Sequence, residues 1–429
     1  MQDVVIVSGA RTSVGAFGGS LKDAGVVELG AAVIREAVAR AGLRPVAGGE
    51  EKEMAPERLK QQPPIELETK AGAWDENAVP VTIDEVIMGN VLTAGQGQNP
   101  ARQAMIKAGV CKETPAFTVN KVCASGLKAI TLGAASIMMG EAEAVVAGGQ
   151  ESMTNAPMAL PKARWGHRME VTGKGEILDL MVHDGLYEIF YGYHMGVTAE
   201  NIAEKYGISR QEQDELGVLS HARAMEAIKT GVFSQEIVPV TFKTRKGDVT
   251  IDTDERPMET DIEKMAKLAP VFKKGGTVTA GNASGINDGA AAVLLMSSKR
   301  AKEMGLTPFA KISAFAAGGV DPAYMGLGPI PAIRKALKKT GMSINDIDIV
   351  ELNEAFASQA IACIRDLNLP VEKPNRFGSG ISMGHPIGCT GARQTVSAMY
   401  QMRAAGASTG LISMCIGGGM GMAMIIESP

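Results

Sequence analysis

The chain is 429 residues long and 45% hydrophobic, rich in Gly (51) and Met (25) and poor in aromatics, with 10 Phe, 6 Tyr and 2 Trp. That length exceeds one small domain and points to two or three compact units; with 21% charged residues and a net charge of −4, it excludes a disordered polyelectrolyte and offers nucleic acid no overall basic field. Five cysteines (Cys111, Cys123, Cys363, Cys389 and Cys415) without CxxC spacing exclude a secreted disulfide framework and a zinc site, and fit a reducing cytoplasm.

In chain order, the start from Met1 to Val7 carries Asp3 and soon reaches Arg11, so it lacks the basic start and apolar run of a signal peptide. Short apolar runs rich in Val and Ile then alternate with longer segments of helical period, the pattern of an α/β protein with buried strands. Runs at 4–8, 85–88, 144–147, 291–296, 310–314, 348–352, 410–414 and 422–426 predict strands; 29–41, 126–139, 330–339 and 391–404 predict helices. Ser209-Arg210-Gln211-Glu212 has capping-box spacing and opens a helix running to about Lys229. The longest apolar stretch, 411–426, is broken by Gly417 to Gly419 and is too short to span a bilayer. The expectation is a soluble intracellular protein.

These elements repeat. The helix ending at Gly42 is matched by one ending at Gly341, an offset of 299, and Ile83-Asp84-Glu85-Val86 by Ile347-Asp348-Ile349-Val350, an offset of 264. Cys123 and His385 each precede a helix, at an offset of 262. A duplicated unit follows, with equivalent turns able to converge on one site across a pseudo-twofold. The fall in offset places extra residues in the first half, in the polar, Pro-interrupted segment 44–80, as expected of an exposed insertion. A second, larger interruption separates Gly148-Gly149 from its matching strand by residues 150–288.

Cys123 sits at a predicted strand-to-helix junction, where the helix dipole and free N–H groups favour a thiolate; equally, an isolated Cys is a small buried hydrophobe. Gly384-His385-Pro386-Ile387-Gly388 places a His in a rigid turn at the equivalent point, suited to a base or an oxyanion donor. His167, His183 and His221 have no such setting, and His194 is ambiguous on spacing alone. Cys415 ends a strand and enters Gly417-Gly418-Gly419, whose backbone suits either an oxyanion hole formed by the amides of Cys123 and Gly417 or a tight turn. Asn353, in Asn353-Glu354-Ala355-Phe356, suits either holding a water or capping a helix.

Together, Val122-Cys123-Ala124-Ser125-Gly126, Asn353-Glu354-Ala355-Phe356, Gly384-His385-Pro386-Ile387-Gly388 and Cys415-Ile416-Gly417-Gly418-Gly419 resemble the four active-site blocks of the thiolases. Gly281-Asn282-Ala283-Ser284-Gly285, Val320-Asp321-Pro322-Ala323-Tyr324-Met325-Gly326 and the segment from Gly95 to Arg102 extend the resemblance, which spans the chain apart from residues near 44–80. It is strongest to the biosynthetic-type acetyl-CoA acetyltransferases.

The resemblance implies an α/β fold of duplicated βαβαβαββ halves in a five-layered α-β-α-β-α core, with an inserted α/β loop domain. Its parts would be an N-terminal half at 1–153 and 287–306, a CoA-binding loop domain at 154–286 and a C-terminal half at 307–429. It implies acetyl-CoA C-acetyltransferase activity: Cys123 is acylated, His385 takes its proton and Cys415 removes the α-proton of the second acetyl-CoA. His385 with an Asn353-held water would form one oxyanion hole, and the amides of Cys123 and Gly417 the other. Coenzyme A contacts fall on Leu186, His194, Met195, Phe272, Ala280 and Ser284, with Met325 and Phe356 near the acyl end. Pro257 stands where the family has its phosphate-contacting Arg, so that assignment moves to Arg256.

Lys162, Arg164, Arg168 and Lys174 give the insertion basic character, which is also that of a solvated charged face. No further cofactor and no metal is expected; the implied partners are acetyl-CoA, acetoacetyl-CoA, CoA and copies of this chain (a dimer of dimers), with no nucleic acid or membrane. The implied setting is cytoplasmic fatty-acid metabolism. Alternatives are a broader-range 3-ketoacyl-CoA thiolase of β-oxidation, a β-ketoacyl synthase, which would carry a second His at Asn353 and no reactive Cys415, and a non-catalytic acyl-CoA-binding or redox-sensing protein. Two thiols serving one reaction must lie close, so oxidation of Cys123 and Cys415 to a disulfide is a further expectation.

Overall fold

A computed structural model describes residues 2–166, 175–245 and 247–429; His167, Arg168 and Lys174 lie outside the described residues. The first half contributes β1 (Val4–Arg11), α1 (Val26–Ala39), β2 (Glu85–Gly89), α2 (Pro100–Lys107), β3 (Ala116–Val119), α3 (Ser125–Met139) and β4 (Ala144–Ser152). The chain then leaves the sheet for a long excursion containing α4 (Met195–Tyr206) and α5 (Arg210–Lys229), and returns as β5 (Asn287–Ser297). The second half follows as β6 (Ala310–Gly319), α6 (Pro329–Thr340), β7 (Ile349–Leu352), α7 (Ala357–Asp366), α8 (Thr390–Ala405), β8 (Thr409–Ile416) and β9 (Met420–Glu427).

The expected duplication is visible in the strand order. The first half runs β1-β5-β4-β2-β3, and the second runs β6-β9-β8-β7 with Pro374 bridging Val350 where a last strand would lie. Directions agree pair by pair: β1/β5 and β5/β4 are antiparallel and β4/β2 parallel, as are β6/β9, β9/β8 and β8/β7 respectively. The halves meet through β1 and β6, which share only the pairs Val5–Lys311 and Ile6–Ala310.

Side-chain alternation builds five layers from this sheet. Ala291, Val293 and Leu295 of β5 point inward to one core with Leu127 and Ile130 of α3, Val396 and Met399 of α8, and Ile412 and Met424 of the second half. Ala292, Leu294 and Met296 point outward to a core covered by α1 and α2, while α6 and α7 cover the outer face of the second half. With both faces covered, the strands read as continuous apolar runs. Complete burial of Leu127, Ile130 and Ile137 stabilises α3 by roughly 1.5–3 kcal/mol for each side chain. The two central helices cross where neither carries bulk: a Cβ on Gly391 would lie 2.6 Å from the Leu127 amide nitrogen, and one on Gly126 would lie 3.0 Å from that of Ala392.

The predicted strands and central helices fall in place, and the capping box at Ser209 opens α5, with Glu212 accepting from the Ser209 N–H. Four of the elements above have no counterpart among the predicted ones: β3, a short edge strand, α2, a two-turn helix with little periodicity to show, and the helices α4 and α7. Segment 44–80 is bracketed by Leu43–Pro45 and Val79–Val81, paired in parallel, and is mostly exposed. It is braced on the body where Trp74 donates to the Gly109 carbonyl at 2.9 Å beneath Arg35, 4.2 Å from the ring.

Candidate active site

The carboxyl ends of the central strands and the starts of α3 and α8 open on one cavity of about 300 Å3. Val122, with φ +47°, holds a β-branched residue in the left-handed region immediately before Cys123, a costly conformation of the kind found at functional turns. The turn is fixed by Asn120, which accepts from the Val122 N–H at 2.9 Å, and by Ser125, which accepts from the Lys121 N–H at 2.8 Å. Cys123 is thereby presented at the cavity wall. Burial pushes its thiol up to about 11, although the N–H groups of Gly417 and of Cys123 itself point at the sulfur and pull it partway back. Desolvation thus outweighs the helix N-terminus that favours a thiolate, and the nucleophile needs a base, the role expected of His385.

His385 is held by both ends. Asn287 accepts from its backbone N–H at 3.1 Å, and Nδ1 lies 2.6 Å from the Thr390 hydroxyl, which itself donates to the Pro386 carbonyl at 2.9 Å. With that hydroxyl proton so engaged, Nδ1 carries the ring proton and Nε2 is left as the base. Nε2 lies 3.5 Å from the Asn353 amide nitrogen. Burial, and after it the positive charge of Arg393, push the imidazole down to about 3. Gly384, at φ +97°, packs so tightly on Asn287 that no side chain fits there.

Asn353 follows β7, its backbone N–H bonded to the Ser413 carbonyl at 2.9 Å; its side-chain carbonyl is buried without a partner, leaving an acceptor for a water. Cys415 is fully buried among Met195, Ala283, Met325, Ala355 and Phe356. Burial, and then Cys123, raise its thiol well above the ordinary value. Both thiols are free.

Gly417 lines the cavity with Cys123 and His385. So do Leu186, His194, Met195, Phe272, Ala280, Ser284, Met325 and Phe356. His194 stacks on Phe272 with centroids 4.6 Å apart, and Phe272 meets Phe356 edge-on at 6.2 Å, making one aromatic wall. His194 also caps α4, its Nδ1 accepting from the Gly196 N–H at 3.0 Å.

Of the expected site residues, Asn353 and Cys415 are not among those lining the cavity, and neither is Arg256. Arg256 donates to the carbonyls of Ile381 (2.8 Å), Ala283 (3.2 Å) and Ala280 (3.5 Å). A guanidinium in that position braces the loop beneath the cavity rather than reaching a ligand's phosphate, because irregular buried carbonyls need a multiple donor. Met153, Gly185, Val271, Thr279 and Ile286 also line the cavity without having been expected there; none carries reactive chemistry, and only proximity to the Gly281–Gly285 block marks Thr279 and Ile286. His221 is buried, accepting weakly from the Met258 N–H at 3.4 Å, and its pKa falls to about 4 through burial and Arg256, as suits a core histidine.

Two halves that bring a thiol, an imidazole and converging amides to one apolar chamber define an acyl-transfer enzyme working through a cysteine thioester. The chain belongs to the thiolase family: the family model of the thiolase N-terminal domain matches residues 4–50 and 59–299, and that of the thiolase C-terminal domain matches 306–428. An acetyl-CoA acetyltransferase of Syntrophomonas wolfei is 52% identical over 429 residues, covering 100% of this chain and 99% of the relative. One from Cupriavidus necator is 49% identical with 100% of both chains covered, and one from Escherichia coli is 46% identical over 100% of this chain and 99% of its own. The crystal structure of the Bacillus anthracis acetyl-CoA acetyltransferase superposes with a TM-score of 0.89 at 42% identity, over 100% of this chain and 99% of that one.

Proposed function

We propose that this protein is an acetyl-CoA C-acetyltransferase, joining two acetyl-CoA reversibly into acetoacetyl-CoA and CoA through an acetyl-Cys123 intermediate. The observation that carries the proposal is the convergence of Cys123, His385 and the Gly417 amide on one cavity, in a chain whose full-length relatives bear that activity in their names. His385 Nε2 takes the Cys123 proton as sulfur attacks the acetyl carbonyl. The N–H groups of Cys123 and Gly417, already aimed at the sulfur, receive the tetrahedral oxyanion; losing one such donor costs about 10²–10³ in rate. The departing CoA thiolate takes its proton from Cys415, which is left as the base for the α-proton of the second acetyl-CoA. The enolate oxygen is received by His385, now protonated, and a water on Asn353. Carbon attacks acetyl-Cys123, the thiolate leaves and recovers the proton from His385, and Cys415 keeps the α-proton.

The strongly raised Cys415 thiol suits this step, since abstraction of an unactivated α-proton needs a strong base. The reaction consumes only CoA thioesters and needs no further cofactor. Leu186, His194, Met195, Phe272, Ala280 and Ser284 would seat the CoA arm, and Met325 and Phe356 the acyl end. Exposed Trp165, Ile177, Ile189 and Phe190 support a homo-oligomer, checked by light scattering, and five cysteines without CxxC spacing suit a reducing cytoplasm. The deciding experiment is mass spectrometry of protein mixed with acetyl-CoA. One added acetyl group on Cys123 and a matching burst of free CoA are expected; an unmodified Cys123 refutes the proposal.

A further inference from the structure

The carboxylate of Glu151 is wholly buried beside the site, in a strand whose other residues are all buried too. Its oxygens accept four hydrogen bonds from neutral donors: the Asn90 side-chain amide at 2.7 Å, the Val91 N–H at 3.0 Å, the Leu92 N–H at 3.1 Å and the Gly388 N–H at 2.9 Å. Three of these donors belong to the turn after β2 in the first half, and the fourth belongs to the His385 turn of the second. Around it, Val91, Leu92, Cys123, Met153 and Ile387 form one apolar cluster. The fit is close: a Cβ on Gly388 would lie 2.6 Å from the carboxylate and 3.0 Å from the Asn90 backbone. Strand pairing sets Val145 against Glu85 and Gly410 against Ile349, so the counterpart of Glu151 in the second half is Ile416. The carboxylate is therefore a departure from the duplication, at a strand end that bonds the His385 turn.

We propose that Glu151 is a positioning residue for acyl transfer, fastening the His385 turn of one half to the Cys123 side of the other and so setting the separation of base and nucleophile. This rests on the acetyltransferase proposal above. A carboxylate suits the role because all four donors need acceptors and it has only acceptors to offer. Burial raises the thiols of Cys123 and Cys389, and the charge of Glu151 adds a smaller upward push to both.

The experiment uses the full-length protein at pH 8.5, comparing wild type with Glu151→Gln, which keeps the shape but turns an NH2 toward N–H donors. Acylation by acetyl-CoA is followed as the CoA burst, and the access and reactivity of Cys123 as iodoacetamide alkylation. In Glu151→Gln the burst rate is expected to fall by about 10²-fold with KM within about three-fold, while alkylation is at least as fast as in wild type, because a negative charge near the sulfur is gone. A wild-type burst rate in Glu151→Gln, or a loss appearing only in KM, overturns the proposal. If Glu151→Gln does not fold, Asn90→Ala, which removes one donor and keeps the carboxylate, decides: a reduced burst rate at unchanged KM supports it and an unchanged rate overturns it. Absence of any burst from wild type instead refutes the acetyltransferase proposal itself.

Discussion

His385 and Cys123 line the cavity as neutral groups, and the direction of both shifts fixes a pH profile. With its pKa lowered from 6.5 to about 3, His385 remains a free base as pH falls through 6.5, so a fall in kcat/KM for acylation between pH 8 and 6 is expected to come from Glu151, whose carboxyl burial pushes up to about 7, and to be absent in Glu151→Gln. A descending limb centred near 6.5 that persists in Glu151→Gln would show that His385 is not the base or is not buried. Cys415 gives the second test at this scale. Cys415→Ala should still acetylate Cys123, more slowly, but lose condensation and exchange of acetyl-CoA α-protons with deuterated solvent by roughly 10²–10⁴-fold; retained exchange would assign the base elsewhere. Cys123, His385, Asn353, Cys415 and Gly417 were legible in the sequence because each sits in a distinctive block. Glu151 was not, since a lone acid between Gly148-Gly149 and Met153 looks like a loop residue until a fold supplies its four donors. Nor was the bracing role of Arg256, because its three partners are carbonyls, which have no sequence signature.

At the scale of elements, the crossing of α3 and α8 ties the fold to the chemistry, because each helix begins a few residues after a reactive group. Gly391→Val places carbon against the Leu127 backbone, which no rotamer relieves. It is expected to cost about 1–3 kcal/mol, read as a lower urea midpoint, with a reduced acylation rate in the folded fraction; an unchanged midpoint would mean the helices part easily. The layers were legible because strands covered on both faces carry continuous apolar runs, as in Ala290–Met296 of β5, and because the offsets near 262 and 264 recur. β3 was not, since its residues are all half-buried at a sheet edge and no alternation survives there.

Across the whole molecule, segment 44–80 stands apart from the site while its base is braced on α1 through Arg35 and Trp74. The thiolase N-terminal family model passes over residues 51–58 within it. Replacing 51–58 by a short Gly/Ser turn should leave kcat and KM within about two-fold, since loop length enters closure entropy only logarithmically. Trp74→Ala, by removing the ring and its hydrogen bond, should lower stability by about 1–3 kcal/mol. A loss of activity in the first variant without loss of stability would give the segment a catalytic part.

The position of β5 also governs the order in which the chain is completed during synthesis. β5 lies between β1 and β4 in the sheet yet is translated after the whole excursion that follows Ser152. At about 5–20 residues per second, the nascent first half waits roughly 7–30 s with two apolar strand edges unpaired, an invitation to self-association that ends only when residue 297 clears the ribosome. A chain stopped at residue 286 should therefore accumulate in the insoluble fraction or on chaperones, whereas one containing β5 should not.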